Sequence, residues 1–148
     1  MRSQVCVDAS LVLKLVLSES DSEQAHALWQ SWIDGSVDVL APDHLAVEAT
    51  SVIRNHVHRR LISAEAGRQA FDALHAQPIT LVPSTDLNLR AWQLAELFDR
   101  PTAYDAYYLA LAEALGCDLW TADRRLVRAV GTMVDWVKWL GDVSQRLA

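Results

Sequence analysis

Short apolar segments of strand length alternate with longer segments of helical periodicity along the whole chain. Strands are predicted at residues 5–7, 37–41, 78–82, 117–121 and 132–134. Helices are predicted at residues 11–17, 22–34, 42–60, 63–76, 86–98 and 103–115, in a basic turn that begins at Asp123, and at the C-terminus. Strands that alternate with helices predict an α/β fold of three layers, with a mostly parallel central sheet covered by helices on both faces.

Polar and glycine residues mark the expected ends of several helices. Ser10 and Ser63 are expected to cap the helices that follow them, because a serine hydroxyl accepts hydrogen bonds from free backbone N–H groups. Gly35 and Gly116 are expected to end helices, since a helix often finishes at a left-handed residue. The helix at residues 103–115 is apolar on nearly every face, which predicts a central position in the fold.

Composition limits both the size and the class of the protein. The chain has 148 residues, of which 51% are hydrophobic and 22% charged, so one domain over residues 1–148 is expected. The 13 Lys and Arg residues against 19 Asp and Glu residues give a net charge of −6. A general polyanion binder with a basic surface is therefore disfavoured, and any nucleic acid must be bound locally.

The sequence predicts a cytoplasmic protein without a membrane segment. Charged residues interrupt the apolar stretches of the N-terminal region, and no run of about 18 uncharged apolar residues occurs. Cys6 and Cys117 are far apart in sequence, and neither has a second Cys or His at the spacing of metal ligands. Both are expected to be reduced, buried thiols.

Three aspartates lie where the carboxyl ends of parallel strands are predicted. Asp8 directly follows the first strand, and Asp123 follows the fourth almost directly. Asp105 is in the first turn of the helix that leads into the fourth strand, and such a helix begins near the same edge of the sheet. Ligands of open α/β sheets bind outside this edge. Each aspartate alone could equally be a turn or capping residue, since acids favour helix N-termini.

Glu48 is a fourth candidate, one turn into the long helix that follows the second strand. It flanks the apolar stripe of this helix, and Ser51, Asn55 and Arg59 continue its flank as a polar, partly basic track that could hold phosphates. Taken alone, a solvated helix glutamate remains the more ordinary interpretation. Asp118 is left out of the site because it lies at the start of its strand, away from the edge.

Four carboxylates that converge without basic partners would repel one another, and a bound divalent cation is the simplest remedy. No Lys or Arg lies within a helical turn of Asp105, so a cation is expected beside it. The hydroxyls of Ser10 and Thr121 lie close in sequence to Asp8 and Asp123 and could support them. An all-oxygen set of this kind favours Mg²⁺ or Mn²⁺ and could activate a water for phosphodiester hydrolysis.

Four segments, each carrying one of these acids, resemble the PIN domain family in their order: VDAS, HLAVEATSVI, YDAYYLALAE and TADRRL. The resemblance spans nearly the whole chain and is greatest to VapC-type toxins of type II toxin–antitoxin systems. It implies a PIN-like fold and a Mg²⁺-dependent endoribonuclease with Asp8, Glu48, Asp105 and Asp123 as the catalytic metal site. It also implies a cognate antitoxin, an RNA substrate and a homodimer.

Arginines near the predicted site are candidate contacts for RNA phosphates. Arg54, Arg59 and Arg60 belong to the long helix, and Arg124, Arg125 and Arg128 follow Asp123. Ordinary solvated helix faces would explain them equally well. Trp29 and Trp32 lie on the apolar stripe of their helix, so core packing is expected, with an antitoxin or dimer surface as the alternative.

Two other functions stay open at this point. The same acids would serve a structure-specific DNA nuclease, because a metal site of carboxylates does not by itself select RNA over DNA. A catalytically silent interaction module of the same fold is the second alternative, although four intact acids argue against it.

Overall fold

The computed structural model describes residues 3–147, and the side chains of residues 3–143. The described residues contain one five-stranded sheet in the order β3-β2-β1-β4-β5, in which every neighbouring pair is parallel. The strands are β1 (Gln4–Val7), β2 (Asp38–Pro42), β3 (Ile79–Val82), β4 (Asp118–Thr121) and β5 (Val137–Trp139). The predicted three-layer α/β fold is confirmed, and its sheet is wholly parallel.

Helices connect the strands and cover the sheet. They are α1 (Ala9–Val16), α2 (Ser22–Asp34), α3 (His44–His58), α4 (Ala64–Ala76), α5 (Asn88–Leu97), α6 (Tyr104–Leu115), α7 (Arg124–Val130) and α8 (Leu140–Leu147). A 3-10 helix (Ser84–Leu87) occupies the start of the single helix predicted at residues 86–98. Across the described part of the chain, none of these helices has the length and apolar character needed to cross a bilayer.

The central strand β1 lies where the order of the sheet reverses, since β2 is on one side of it and β4 on the other. Helix α6 packs against both β1 and β2, which explains why nearly all its faces are apolar. Val7, Leu109 and Leu119 are completely buried in this core. Burial of apolar side chains on both faces of a parallel sheet stabilises the crossover connections that bring the strand ends to one edge.

The predicted helix caps are partly confirmed. Ser63 caps α4 by accepting a hydrogen bond from the backbone N–H of Ala66, and Gly116 ends α6 in the left-handed region at a φ of 64°. The cap predicted for α1 was wrong, because Asp8 and not Ser10 caps this helix. Gly35 directly follows the last residue of α2, as predicted, but its φ is −85°, and Ser36 takes the left-handed conformation instead.

The strand predicted at residues 132–134 was wrong. These residues form a turn after Gly131, and Met133 is exposed. The last strand is instead Val137–Trp139, which pairs with Leu119, Trp120 and Thr121 of β4. Its side chains are only half-buried at the edge of the sheet, so they lack the continuous apolar run by which a central parallel strand is recognised.

The two cysteines are free thiols in contact, with 3.6 Å between their sulfur atoms. Cys6 is fully buried, whereas Cys117 is half-buried. The register pairs Cys6 with Leu119 of β4, so Cys117, two residues earlier, is its diagonal neighbour and not its direct partner.

The tryptophans of α2 are core residues, as their position on its apolar stripe predicts. Trp29 and Trp32 are buried, with 5.6 Å between their ring centroids, and Trp32 also meets Trp120 of β4 edge-on. Aromatic burial of this kind stabilises the packing of the helix on the sheet. These two side chains are therefore not available as an antitoxin or dimer surface.

Candidate active site at the carboxyl edge of the sheet

Asp8 occupies a buried corner between the ends of β1 and β4. Its carboxylate accepts hydrogen bonds from the Ser10 hydroxyl at 2.7 Å, the Thr121 hydroxyl at 2.5 Å and the Leu11 backbone N–H at 3.1 Å. Asp8 is 5% exposed and Thr121 is fully buried. The supporting role predicted for both hydroxyls therefore has a geometric basis, and we call these residues the Asp8 corner.

The Asp8 corner contains no basic side chain hydrogen-bonded to the carboxylate among the described residues. The pKa of Asp8 is raised from an ordinary 3.8 to about 6, chiefly because the carboxylate is buried. The three hydrogen bonds oppose this rise, and the charge of Asp105 adds to it. An ionised carboxylate here is held by neutral donors, so it is costly to bury and would be stabilised by a cation.

Thr121 also connects the corner to the start of α7. Its hydroxyl oxygen accepts the backbone N–H of Asp123 at 2.9 Å, and Ser10 accepts the backbone N–H of Ala122 at 3.0 Å. The Asp123 carboxylate caps α7 by accepting the Arg125 N–H at 2.9 Å. Asp123 is thus held beside the corner through backbone contacts, with its carboxylate only half-buried.

Glu48 lies one turn into α3 and faces His44. His44 Nε2 is 2.9 Å from Glu48 Oε1, a contact that lacks hydrogen-bond geometry and is an ion pair only when the imidazole ring carries a positive charge. On the other side of the ring, His44 Nδ1 is 3.1 Å from the Ser84 hydroxyl, which donates to Asp43 at 2.6 Å. Because Ser84 gives its proton to Asp43, it accepts from Nδ1, and Nε2 is a donor only when the ring carries both protons.

The buried phenol of Tyr108, on α6, lies near both Glu48 and Asp8. Burial raises the pKa of its phenol, and the negative charges of Glu48 and Asp8 raise it further, so the hydroxyl stays neutral. Within the described structure the buried Tyr108 Oη and Glu48 Oε1 have no hydrogen-bond partner. Buried polar atoms normally have hydrogen-bond partners, so these two oxygens, one of them a carboxylate oxygen, mark a place that suits a polar or cationic group.

Asp105, in the first turn of α6, pairs with Arg100. The Arg100 Nη2 donates to Asp105 Oδ2 at 3.0 Å, and their side chains are 22% and 36% exposed. This confirms the expectation of a cation beside Asp105. The expectation that the acids converge without basic partners was wrong. Arg100 contacts Asp105, and Arg125 lies 3.6 Å from Asp123. The imidazole ring of His44 contacts Glu48. The sequence did not predict the pair of Arg100 with Asp105 because Arg100 lies five residues before Asp105, outside the helix that carries it.

The fold brings the four predicted acids to one edge of the sheet without assembling them into a coordination shell. In the part of the chain that the structure describes, no three His, Cys, Asp or Glu side chains are arranged to hold a metal ion. The donor set nevertheless fits Mg²⁺ or Mn²⁺: all its atoms are oxygens, the buried Asp8 carboxylate has no cation bonded to it, and Glu48 Oε1 accepts no hydrogen bond among the described residues.

The arginines predicted to contact RNA have different surroundings. Arg54 and Arg59 are exposed on and just after α3, and Arg54 lines an open groove of about 400 Å³ with Ser51, Asn55 and His58. This groove follows the polar track predicted from Glu48. Arg124 stacks on Trp139 with its guanidinium carbon 5.0 Å from the ring centroid, and Arg125 is 88% exposed beside Asp123.

The architecture and the site together define a class: a wholly parallel α/β domain with acidic side chains gathered beside its switch-point strand. The family model of the PIN domain matches residues 5–131, and the chain belongs to the PIN domain family.

Relatives and solved structures agree with this assignment. The chain is 34% identical over 122 residues to VapC ribonuclease Mb0985 of Mycobacterium bovis, covering 82% of this chain and 87% of the relative. It is 34% identical over 127 residues to ribonuclease VapC12 of Mycobacterium tuberculosis, covering 86% and 92%.

Two crystal structures share the fold. PAE2754 from Pyrobaculum aerophilum has a TM-score of 0.66 and 23% identity, covering 99% of this chain and 98% of that one. VapC20 of Mycobacterium tuberculosis, described as a toxin that cleaves the sarcin-ricin loop, has a TM-score of 0.64 and 19% identity, covering 84% and 94%. At these identities the likeness concerns the fold.

Proposed function

We propose that this chain is a divalent-metal-dependent endoribonuclease, the VapC-type toxin of a toxin–antitoxin pair. The observation that carries the proposal is the Asp8 corner: a carboxylate buried beside other acids, with its pKa raised to about 6 and no cation bonded to it among the described residues. The similarity of this chain to VapC ribonucleases, which extends over more than four-fifths of its length, supports RNA as the substrate.

In this proposal Asp8, Glu48, Asp105 and Asp123 hold Mg²⁺ or Mn²⁺. When bound, the ion supplies an activated water and neutralises charge at the scissile phosphate. Ser10 and Thr121 keep the Asp8 oxygens in a fixed orientation, since both donate to that carboxylate. Fixed donors around an acidic ligand preserve its geometry while substrate enters and leaves.

The groove along α3 is the proposed path of the RNA backbone away from the acids. Its lining combines Arg54 with the hydroxyl, amide and imidazole groups of Ser51, Asn55 and His58, all suited to phosphate or sugar. Arg59 lies at the end of α3, and Arg124 and Arg125 are the first residues of α7, directly after Asp123. Local basic groups of this kind suit an acidic protein that binds RNA at one place.

An antitoxin partner and a homodimer complete the proposal. Exposed apolar side chains offer contact surface for the antitoxin and for a second copy of the chain. They include Leu89 and Trp92 on α5 and Tyr104 at the start of α6. Light scattering of the purified chain measures the dimer, and copurification with the neighbouring gene product identifies the antitoxin.

The decisive experiment incubates the purified protein with single-stranded RNA and with DNA of the same sequence, in Mg²⁺ and in EDTA. We expect cleavage of RNA in Mg²⁺, none in EDTA, and a loss of about a thousandfold or more in the Asp8→Asn variant.

The Asp118→Asn variant is the matched control. Asp118 lies on β4 opposite Val5, at the far end of the same strand pair that forms the Asp8 corner. The Asp118→Asn variant should cleave RNA at the wild-type rate. Cleavage in EDTA, or equal activity of the Asp8→Asn variant, would contradict the metal site. Cleavage of DNA alone would identify the DNA nuclease, and binding without cleavage the silent module.

A further inference from the structure

The most deeply placed arginine that faces the acids is Arg100. Its side chain is 22% exposed, whereas that of Arg125, which faces Asp123, is 88% exposed. The Arg100 guanidinium contacts Asp105, whose charge in turn raises the pKa of Asp8. Arg100 therefore neutralises the acid that most directly affects the buried corner.

Backbone geometry holds Arg100 in this place. Helix α5 ends in a Schellman motif: Phe98 is the C-cap, and Asp99 is left-handed with a φ of 51°. The Asp99 N–H donates to the Glu96 carbonyl at 3.2 Å, and the Arg100 N–H to the Ala95 carbonyl at 2.8 Å. The end of one helix thus presents the guanidinium to the first turn of the next.

We propose that Arg100 has two successive anionic partners: Asp105 while the acids hold no metal, and a phosphate of the RNA once they do. A divalent ion and a guanidinium compete for the same carboxylate, because each neutralises the same charge. The guanidinium that leaves Asp105 stays anchored through its backbone, close to where a phosphodiester must lie. Its planar fork binds two phosphate oxygens at once.

This proposal deepens the proposed function and rests on it for the metal site and the phosphate, but the competition with metal is measured without RNA. The first measurement is Mn²⁺ binding in the absence of RNA, followed by the paramagnetic signal of the ion. We expect Arg100→Gln to bind Mn²⁺ about tenfold more tightly than wild type, because a nearby positive charge is removed. Arg100→Lys, which keeps the charge, should stay close to wild type.

The second measurement is single-turnover RNA cleavage at saturating Mg²⁺. Arg100→Gln should cleave about ten- to a hundredfold more slowly even though its metal site is full, and Arg100→Lys should recover only part of the rate. A purely structural arginine would not combine tighter metal binding with slower cleavage. Thermal melts establish that both variants are folded.

Arg68→Gln is the matched control, because Arg68 also pairs with an aspartate, Asp72, at 3.2 Å on an exposed face of α4. It should change neither measurement. Unaltered or weaker Mn²⁺ binding by Arg100→Gln overturns the competition, and an unaltered cleavage rate overturns the phosphate contact. If the wild type cleaves no RNA, the proposed function fails while the Mn²⁺ measurement still decides the competition.

Discussion

Asp8 and Asp105 lie at the same edge of the sheet and are held in opposite ways. Asp8 is 5% exposed and bound by two hydroxyls and a backbone N–H, all of them neutral. Asp105 is 36% exposed and paired with a charged guanidinium. Burial raises the pKa of Asp8 to about 6, despite three hydrogen bonds that lower it.

The comparison shows that the position of a carboxylate and the neutralisation of its charge are controlled by different groups. Hydroxyls carried by β4 and α1 fix where the Asp8 oxygens lie, but they leave the cost of burying a negative charge largely unmet. A guanidinium on a long side chain meets the charge of Asp105 and can move away. The same edge of the sheet thus contains one rigid acid that lacks a cation and one adjustable acid that already has one.

The largest expected effect distinguishes these two acids by stability in the absence of metal. A carboxyl whose folded pKa is raised destabilises the folded state above that pKa, and the cost disappears as pH falls below the unfolded value. Asp8→Asn should therefore increase the free energy of unfolding by about 2 to 3 kcal/mol near neutral pH. Asp105→Asn should change it by less than about 1 kcal/mol, because its pair is partly exposed.

Chemical denaturation in EDTA across about pH 8 to pH 4 measures both effects. The extra free energy of unfolding in Asp8→Asn should be largest above pH 6, where wild-type Asp8 is ionised. It should shrink as the pH falls from about 6 toward 3.8, because wild-type Asp8 becomes protonated over this range. A pH-independent advantage would mean that packing and not charge causes it. An advantage of similar size in Asp105→Asn would remove the distinction between the two acids.

The positions of the acids could be predicted from the sequence because local signals mark them. Asp8 ends an apolar run, Asp123 follows another, and Asp105 begins an apolar helix, so the rule for parallel strand ends applies to each. That they act as a metal site stays a prediction. The edge strand β5 was misplaced because half-buried strands carry a weak apolar pattern.

The partners of the acids could not be predicted in the same way. Arg100 reaches Asp105 only because Asp99 adopts a left-handed conformation that few non-glycine residues take. Ser84 reaches His44 across 40 residues, through the pairing of β2 with β3. Charge repulsion among the acids predicts that some positive group lies near them, but a single sequence does not reveal which distant side chain supplies it.

The next effect tests whether position matters in the Asp8 corner independently of charge. Thr121→Val keeps the shape of a fully buried side chain and removes the hydroxyl that donates to Asp8 and accepts from Asp123. We expect RNA cleavage to fall about ten- to a hundredfold, as for other groups that orient metal ligands. Loss of a donor should also raise the pKa of Asp8, moving the pH profile of cleavage upward.

Thr121→Ser is the control, because it keeps the hydroxyl and loses only a methyl group. It should retain the wild-type pH profile, with a small loss of stability from the missing contacts. Equal cleavage by the valine variant and wild type would show that Ser10 and Leu11 alone hold Asp8 in place. The corner would then owe its rigidity to α1 and not to β4.

The smallest expected effect concerns Tyr108, which lies between the two kinds of acid environment. Its hydroxyl is buried and neutral, and it lies near Glu48 without a well-formed hydrogen bond among the described residues, so Tyr108→Phe should leave the free energy of unfolding equal or slightly higher. Cleavage should fall by less than about tenfold, since the phenol contributes one polar contact to Glu48 at most. Thermal melts and cleavage rates of the single variant measure both. A clear loss of stability would show that the hydroxyl is satisfied by water, and the pocket beside Glu48 would then be hydrated before any cation enters it.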